Sequence, residues 1–217
     1  MLALPPLYPI VDPAVVRDGR DPVDRARSLA RAVLSGGAKI LQLRMKGGPG
    51  GADAGDVLAA AKALRRLTRD AGCLFIVNDR VDIALLADAD GVHVGQEDLP
   101  CVEVRRLVGS RRLVGVSTHT VDEARAAEAD GADYIGFGPM YPTATKTDTR
   151  PQRTLDLLSE VKAAVGIPLV AIGGITEARI RDVRAAGADS VAVISAIMAA
   201  RDPAAATRAL GRLAAAS

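Results

Sequence analysis

Residues that could do chemistry stand directly after short apolar runs of this chain, and many of them are charged. Gln42, Arg44 and Lys46 alternate at the end of one run, so we expect their side chains to point to one side. Lys146 stands in a second polar stretch further along the chain. Three positive charges on one ligand suit a di- or triphosphate better than a monophosphate. A solvated surface cluster is the alternative interpretation.

Two acidic residues follow consecutive apolar runs. Asp79 comes after one run and Asp98 after the next, with Glu97 as a further candidate. Two carboxylates beside a pyrophosphate indicate Mg²⁺, which proteins bind through one or two carboxylates, waters and phosphate oxygens. The alternative is that these carboxylates cap a helix or pair with Arg80.

A second phosphate site is indicated near the end of the chain. Gly173 and Gly174 precede a helix predicted to begin near Thr176, and Ser195 follows the last apolar run. Backbone N–H groups at a helix N-terminus bind phosphate, and glycines let it approach closely. The alternative is that the two glycines only form a turn.

Other catalytic chemistries find little support in the sequence. No His/Cys spacing indicates zinc, and there is no GxxxxGK[ST] loop. His93 is interpreted as a hydrogen-bonded histidine of the core or of the barrel. His119 lies near the candidate site, but no Ser or Cys partner pattern indicates a catalytic triad. Cys73 and Cys101 do not make a disulfide framework, so we expect a reducing, cytoplasmic location.

The composition is that of a compact globular protein. The chain has 217 residues, 49% of them hydrophobic and 25% charged, with a net charge of +2. A balanced charge with 3 Tyr, 2 Phe and no Trp argues against nucleic-acid binding. The longest nearly apolar stretch, residues 191–200, is too short to cross a bilayer, and no secretory signal is evident before the first prolines.

Short apolar runs alternate with amphipathic stretches along the whole chain. The runs show little internal alternation, which is typical of parallel strands buried on both faces. The predicted strands are residues 7–11, 40–43, 74–77, 91–94, 113–116, 134–137, 169–172 and 191–194. The predicted helices are residues 22–35, 53–70, 82–86, 102–108, 121–129, 154–165, 177–186 and 203–215.

One joint between a helix and the next strand recurs at residues 37–40, 89–92, 131–134 and 187–190. In three of the four a glycine stands where the helix ends, as a left-handed cap. Strict alternation of strands and helices predicts an α/β fold, a (β/α)₈ TIM barrel forming a single domain over residues 1–217. An open doubly wound sheet is the alternative. Residues 47–51 are glycine-rich and predict a flexible loop rather than a linker.

The barrel prediction brings the polar residues together. Active sites of TIM barrels lie at the C-terminal ends of the strands, and the loops after strands 7 and 8 often bind phosphate. Nearly every predicted strand ends in polar groups, whereas the joints at the opposite end carry Gly, Ala and Asp. From the residues alone, the sequence predicts a Mg²⁺-dependent pyrophosphate enzyme with a second phosphate site.

Eight strings of the sequence resemble the thiamine phosphate synthase family in order and spacing. They are QLRMK at 42–46, FIVNDR at 75–80, GVHVGQEDL at 91–99, GVSTH at 115–119, YIGFGP at 134–139, TATKT at 143–147, AIGGI at 171–175 and VAVISA at 191–196. The match runs from Tyr8 to Met198. Met45 stands where the family commonly has Glu, and Ala144 where it commonly has Pro; neither position supplies a group that the mechanism needs.

The resemblance implies the substrates and their binding residues. The substrates would be the pyrophosphate ester of hydroxymethylpyrimidine and hydroxyethylthiazole phosphate, and the products thiamine phosphate and pyrophosphate. Residues implied to hold the pyrimidine pyrophosphate are Gln42, Leu43, Arg44, Met45, Lys46, Asn78, Ser117 and Lys146. Those implied for the thiazole phosphate are Thr143, Ala144, Thr145, Gly174, Ile194 and Ser195, and those implied for Mg²⁺ are Asp79 and Asp98.

The same residues predict a mechanism with pyrophosphate as the leaving group. Mg²⁺, Arg44, Lys46 and Lys146 would neutralise the charge that pyrophosphate gains, and Ser117 is the fourth predicted catalytic residue. The electron-rich aminopyrimidine can bear the resulting cation, and the thiazole nitrogen then attacks it. That nucleophile is a neutral aromatic nitrogen, so no general base is needed.

Two rival interpretations remain at this point. A thiazole tautomerase with the same barrel would need the thiazole phosphate site but no pyrophosphate site, and Asn78, Asp79, Asp98 and residues 145–147 argue against it. A non-catalytic barrel that binds a phosphorylated ligand would tend to lose its charged strand-end residues. Expected partners are small-molecule substrates, with no nucleic acid and no membrane, and the sequence leaves open whether the chain forms a homo-oligomer.

Overall fold

A computed structural model of the chain describes residues 2–16, 18–46, 52–142 and 152–216, and its strands close into a parallel barrel. Each strand pairs with the next along the chain, and the last returns to the first with Leu7 opposite Val191. The strands are β1 Leu7–Val11, β2 Ile40–Leu43, β3 Leu74–Asn78, β4 Gly91–Val94, β5 Leu113–Thr118, β6 Tyr134–Phe137, β7 Leu169–Ile172 and β8 Ser190–Val193. Closure confirms the TIM barrel and excludes the open sheet.

Helices cover the outside of the barrel. They are α1 Pro22–Ser35, α2 Ala54–Asp70, α3 Val81–Leu86, α4 Cys101–Val108, α5 Val121–Ala129, α6 Leu155–Ala164, α7 Ile180–Ala185, α8 Ser195–Met198 and α9 Pro203–Ala215, with a 3₁₀ turn at Pro13–Val15. Helix α1 shows how the sequence determines where a helix begins and which face it buries. Asp21 accepts the N–H of Val23 at 2.8 Å, Pro22 opens the first turn, and Leu29 and Val33 lie one turn apart on the buried face.

The recurring joint explains how helices and strands are fastened at the N-terminal end of the barrel. Asp90, Asp133 and Asp189 each accept a backbone N–H from the first or second residue of a neighbouring strand, at 2.7–2.8 Å. Each also pairs with a cation of a preceding helix: Arg65 with Asp90, Arg105 with Asp133, and Lys162 with Asp189. These carboxylates therefore serve the fold.

The glycines of this joint have the backbone conformation that the sequence predicts. Gly37, Gly131 and Gly187 have φ of 92°, 91° and 108°, a region that L-residues rarely occupy. In the fourth joint, predicted at residues 89–92, the left-handed position is taken by Asp88, one residue before the predicted range, with φ of 52°. Asp and Asn tolerate this conformation better than most side chains.

Two details near the end of the chain differ from the sequence prediction. The helix predicted from residue 177, near Thr176, begins at Ile180, because residues 177–179 form a turn in which the Arg179 N–H bonds to the Thr176 carbonyl at 3.0 Å. A four-residue helix, α8, follows β8 and was missed, since it is too short to show a periodic pattern.

Candidate active site

The barrel interior ends in a narrow cavity below the C-terminal ends of the strands. Its volume is about 20 Å³, enough for about one water molecule and too little for a ring-sized ligand. The polar residues that line the cavity are Tyr8, Gln42, Arg44, Asn78, His93 and Tyr134. Three of these residues, Gln42, Arg44 and Asn78, were predicted site residues, and the structure brings them together.

Arg44 is fixed by a carboxylate that the sequence analysis missed. Its guanidinium forms an ion pair with Asp12, at the end of β1, and only 11% of the Arg44 side chain and 3% of the Asp12 side chain are exposed. Asp12 also accepts the Ala14 N–H at 3.0 Å. In the described part of the chain, Nε of Arg44 is buried and has no hydrogen-bond partner. That donor is suited to an anionic ligand.

Lys46, Asp79 and Asp98 form one charged group at the mouth. The Lys46 ammonium contacts the Asp79 carboxylate, and the Asp98 carboxylate lies near enough to Asp79 to influence its pKa. Burial raises the pKa of Asp79, and the nearby Asp98 raises it further, while Lys46 opposes both effects. Arg80 pairs with Asp82 at 2.5 Å, so the alternative of an Asp79–Arg80 pair is not what the structure has.

Asp79 is held in an unusual backbone conformation. Its φ of 60° is left-handed, and its N–H donates to the His93 carbonyl at 2.7 Å. A non-glycine residue there carries a conformational cost, and such residues cluster at functional sites. This conformation aims the Asp79 carboxylate, directly after β3, toward Lys46 and Asp98. Asp98 is itself oriented by the Gly95 N–H, which donates to it at 2.7 Å.

Ser117 belongs to a line of polar groups that crosses the barrel interior. His93 Nε2 lies 3.0 Å from Ser117 Oγ, and His93 Nδ1 lies 3.2 Å from the Tyr134 hydroxyl. The Tyr134 hydroxyl lies 2.9 Å from that of Tyr8, to which Gln42 Nε2 donates at 3.1 Å. His93 is half-buried and faces the barrel interior, which confirms the barrel placement, and it contacts a predicted site residue.

The glycine pair after β7 is required by close packing. Gly174 has φ of 59°, and a Cβ atom on it would lie 2.5 Å from the Pro142 carbonyl oxygen. Arg179 donates to the Gly174 carbonyl at 2.8 Å, and its guanidinium stacks 4.3 Å from the centre of the Tyr141 ring. The loops after β6 and β7 thus pack on each other. Helix α7 does not begin here, so its N-terminus does not serve this loop.

The remaining predicted site residues have different surroundings. Ser195 is exposed and opens α8, directly after Ile194. Leu43 is 1% exposed and Met45 packs against the hydrophobic core, so their side chains face away from the cavity. Thr143, Ala144, Thr145 and Lys146, with the loop at residues 47–51, lie outside the described residues.

His119 has a structural partner. Its Nδ1 lies 2.9 Å from the Glu123 carboxylate, which also accepts the His119 backbone N–H at 2.7 Å. In the ranges that the structure describes, no group of three or more His, Cys, Asp or Glu side chains could hold a metal ion. The Asp79–Asp98 pair is a smaller donor set, of the size that Mg²⁺ uses together with substrate phosphates.

A (β/α)₈ barrel with cations and a carboxylate pair at its C-terminal mouth defines an enzyme of phosphorylated small molecules. The sequence model of the family described as thiamine monophosphate synthase matches residues 7–197. The chain belongs to this family.

Individual relatives are similar in sequence to most of this chain. A thiamine-phosphate synthase of Methanoculleus marisnigri is 50% identical over 94% of this chain and 92% of its own. A thiamine-phosphate synthase of Moorella thermoacetica is 51% identical over 84% of this chain and 85% of its own. The solved structure of a thiamine phosphate pyrophosphorylase from Pyrococcus furiosus superposes with a TM-score of 0.84 at 36% identity, covering 98% of this chain and 96% of that one.

No helix among the described residues has both the length and the apolar character that crossing a membrane requires.

Proposed function

We propose that the C-terminal mouth of the barrel joins the pyrophosphate ester of hydroxymethylpyrimidine to hydroxyethylthiazole phosphate, giving thiamine phosphate and pyrophosphate. The overall reaction, synthesis of thiamine phosphate by a transferase, follows from membership of the family. The proposal adds which residues carry it out. The observation that carries it is the grouping of Lys46 with the Asp79–Asp98 pair, beside the buried, partly unpartnered guanidinium of Arg44.

The pyrophosphate end of the substrate is assigned to Arg44 and Lys46. Arg44 offers Nε, a planar donor suited to phosphate oxygens, and Asp12 holds its guanidinium in place before the ligand arrives. Lys46 adds a half-exposed charge at the mouth, and Lys146 is proposed as a third cation. As the leaving group departs, these charges stabilise the negative charge that it gains.

The donor set of Asp79 and Asp98 fits Mg²⁺. Two hard oxygen donors lie side by side, and one positive side chain, Lys46, already balances part of their charge. When bound, Mg²⁺ supplies charge neutralisation on the pyrophosphate. Asp79 and Asp98 would hold it.

The rest of the chemistry requires positioning rather than proton transfer. Asn78, Ser117 and Gln42 lie at or above the cavity, where they can orient the pyrimidine. The thiazole nitrogen is neutral and needs no base, which agrees with the engagement of His119 by Glu123. The packed barrel interior lies below the site and excludes bulk water from that side of the reacting carbon. This protects the cation until the thiazole attacks.

The thiazole phosphate is assigned to the opposite side of the mouth. Gly174 supports the packed loops after β6 and β7, and Ile194 and Ser195 begin the short helix after β8. The loops after strands 7 and 8 are the usual phosphate site of this barrel class. Thr143, Ala144 and Thr145 are proposed to complete this site.

The rival functions are tested by mixing the protein with both substrates and Mg²⁺ and measuring pyrophosphate release and thiamine phosphate formation. Both products should appear in equal amounts. A tautomerase would change the thiazole phosphate alone, and a non-catalytic binding barrel would release no pyrophosphate. Either result would contradict the proposal. The Asp79–Asp98 pair favours the synthase, since neither rival requires a Mg²⁺–pyrophosphate site.

We also propose that the protein works in a reducing, cytoplasmic compartment. Support comes from the two cysteines, Cys73 and Cys101, which are both free and buried. Thiol titration of protein isolated under non-reducing conditions tests this, and the expected result is two free thiols per chain.

A further inference from the structure

We propose that Tyr134 is a positioning residue for Ser117: its hydroxyl sets the tautomer of His93, and His93 then turns the Ser117 hydroxyl into a donor toward the bound ligand. The proposal rests on the proposed function only for the identity of that ligand, the pyrimidine pyrophosphate. Tyr134 opens one of the strings that resemble the family, but no role was predicted for it, because strand residues of this type are ordinary core residues.

The contacts run without a break from Gln42 on β2 to Ser117 on β5. Gln42 Nε2, the Tyr8 hydroxyl and the Tyr134 hydroxyl are joined at 3.1 Å and 2.9 Å. The line continues from Tyr134 to His93 Nδ1 at 3.2 Å, and from His93 Nε2 to Ser117 Oγ at 3.0 Å. Ser117 therefore stands at the end of the line that reaches the barrel mouth.

The proposal assigns one direction to the line. Gln42 Nε2 can only donate, so the Tyr8 oxygen accepts from it. We assign the Tyr8 hydrogen to the Tyr134 oxygen and the Tyr134 hydrogen to His93 Nδ1, so that each hydroxyl of the line donates once. In this direction His93 donates from Nε2 to Ser117 Oγ, and the Ser117 hydrogen points to an acceptor on the ligand.

Both phenols are able to act as such fixed donors. Tyr8 is 1% exposed and Tyr134 is fully buried. Burial raises the pKa of each phenol above its ordinary value, so both keep their hydrogen at neutral pH. Each phenol thus supplies one hydrogen to the line and accepts one.

The barrel makes room for this arrangement with two glycines. A Cβ atom on Gly115 would lie 2.2 Å from Tyr134 Cζ and 2.5 Å from His93 Nδ1. One on Gly136 would lie 3.0 Å from His93 Cε1. Side chains at these two positions would displace the rings, so β5 and β6 leave the space that the line occupies.

The first test is nitrogen-15 NMR of histidine-labelled protein without ligand. The chain has two histidines, and a His93→Gln variant identifies the signals of His93. We expect the proton on Nε2 and an unprotonated, hydrogen-bonded Nδ1 in the wild type. In Tyr134→Phe, the Nδ1 signal should move toward that of an imidazole without this bond. A proton on Nδ1 in the wild type, or unchanged signals in the variant, would overturn the proposal.

The second test is a double-mutant cycle on kcat/KM for the pyrimidine pyrophosphate. Tyr134→Phe should lower it about three- to tenfold, the effect of one hydrogen bond. In a Ser117→Ala background the same change should have no further effect, since the group that it positions is gone. Equal losses in both backgrounds would show a merely structural role and overturn the proposal.

A matched control removes a buried hydroxyl elsewhere. Thr68→Val deletes a hydroxyl that donates to the Arg65 carbonyl within α2 at 3.1 Å, and it should leave the His93 signals and kcat/KM unchanged. If Ser117→Ala leaves kcat/KM unchanged, Ser117 does not act on the substrate and the proposal fails there. Pyrophosphate release by the wild type would still test the proposed function separately.

Discussion

The carboxylate of Asp12, at the end of β1, forms an ion pair with Arg44, just after β2, and both side chains are almost fully buried. A buried cation with one carboxylate partner is stable only while that partner is charged. Because Nε of Arg44 has no partner among the described residues, the pair can accept an anion without being broken. The protein thus holds its proposed pyrophosphate-binding arginine ready in the free state.

Asp12→Asn should therefore destabilise the free protein, by about 3 kcal/mol, because the buried Arg44 charge loses its compensation. Pyrophosphate with Mg²⁺ should restore more stability in the variant than in the wild type, since the ligand replaces the missing charge. Urea unfolding with and without ligand measures both effects. Asp18→Asn removes a carboxylate from an exposed pair with Arg20 and is the control. It should change neither the stability of the free protein nor the stabilisation by the ligand. Equal ligand effects in Asp12→Asn and wild type would remove Arg44 from the pyrophosphate site.

Gly174→Ala should weaken binding of the thiazole phosphate while leaving pyrophosphate binding unchanged. A Cβ atom would meet the Pro142 carbonyl at 2.5 Å, and the left-handed backbone costs an L-residue about 1–2 kcal/mol. Calorimetric titration with each ligand separates the two effects. Gly211→Ala, whose Cβ would meet its nearest neighbour at 3.8 Å, is the matched control and should bind both ligands normally. Loss of both ligands in Gly174→Ala would mean that the two sites are not separate.

Stability should fall at alkaline pH. Burial raises the pKa of Cys73 from 9.0 to about 12, so the unfolded chain loses this proton at a lower pH than the folded one. The unfolded state then binds fewer protons, and the free energy of unfolding decreases as pH rises from about 9 to 12, by up to about 1.4 kcal/mol per pH unit. Urea unfolding across this range, compared with Cys73→Ala, checks the contribution. An identical slope in the variant would contradict it.

Much of the fold could be predicted because buried parallel strands read as short apolar runs and recur at regular spacing. Glycine at the helix-to-strand joints marked the same boundaries, at Gly37, Gly131 and Gly187. The start of α7 could not be predicted, since the turn before it has ordinary helix-forming residues such as Glu177.

The site could be predicted in part, from charged side chains that follow strands. Asp12 carries the same signal, since it directly follows β1, but an aspartate before a proline is also an ordinary turn residue, and the sequence does not separate the two roles. The Tyr8–Tyr134–His93 line could not be found either, since its members are distant in sequence and meet only when the barrel closes.

The central claim is that Asp79 and Asp98 hold the Mg²⁺ that assists departure of pyrophosphate. A Mg²⁺ titration of pyrophosphate release, for wild type and Asp98→Asn, tests it most directly. Asparagine keeps an oxygen to accept the Gly95 N–H, so the loop should stay in place while one negative charge is lost. Asp82→Asn, at the exposed pair with Arg80, is the control and should follow the wild type.

For Asp98→Asn we expect the Mg²⁺ concentration at half-maximal activity to rise about tenfold or more, the effect of losing one charged ligand, with turnover partly recovered at high Mg²⁺. Binding of the thiazole phosphate, measured by calorimetry on the same samples, should stay unchanged. An unchanged Mg²⁺ dependence in Asp98→Asn, or pyrophosphate release by the wild type in the absence of any divalent ion, would contradict the account.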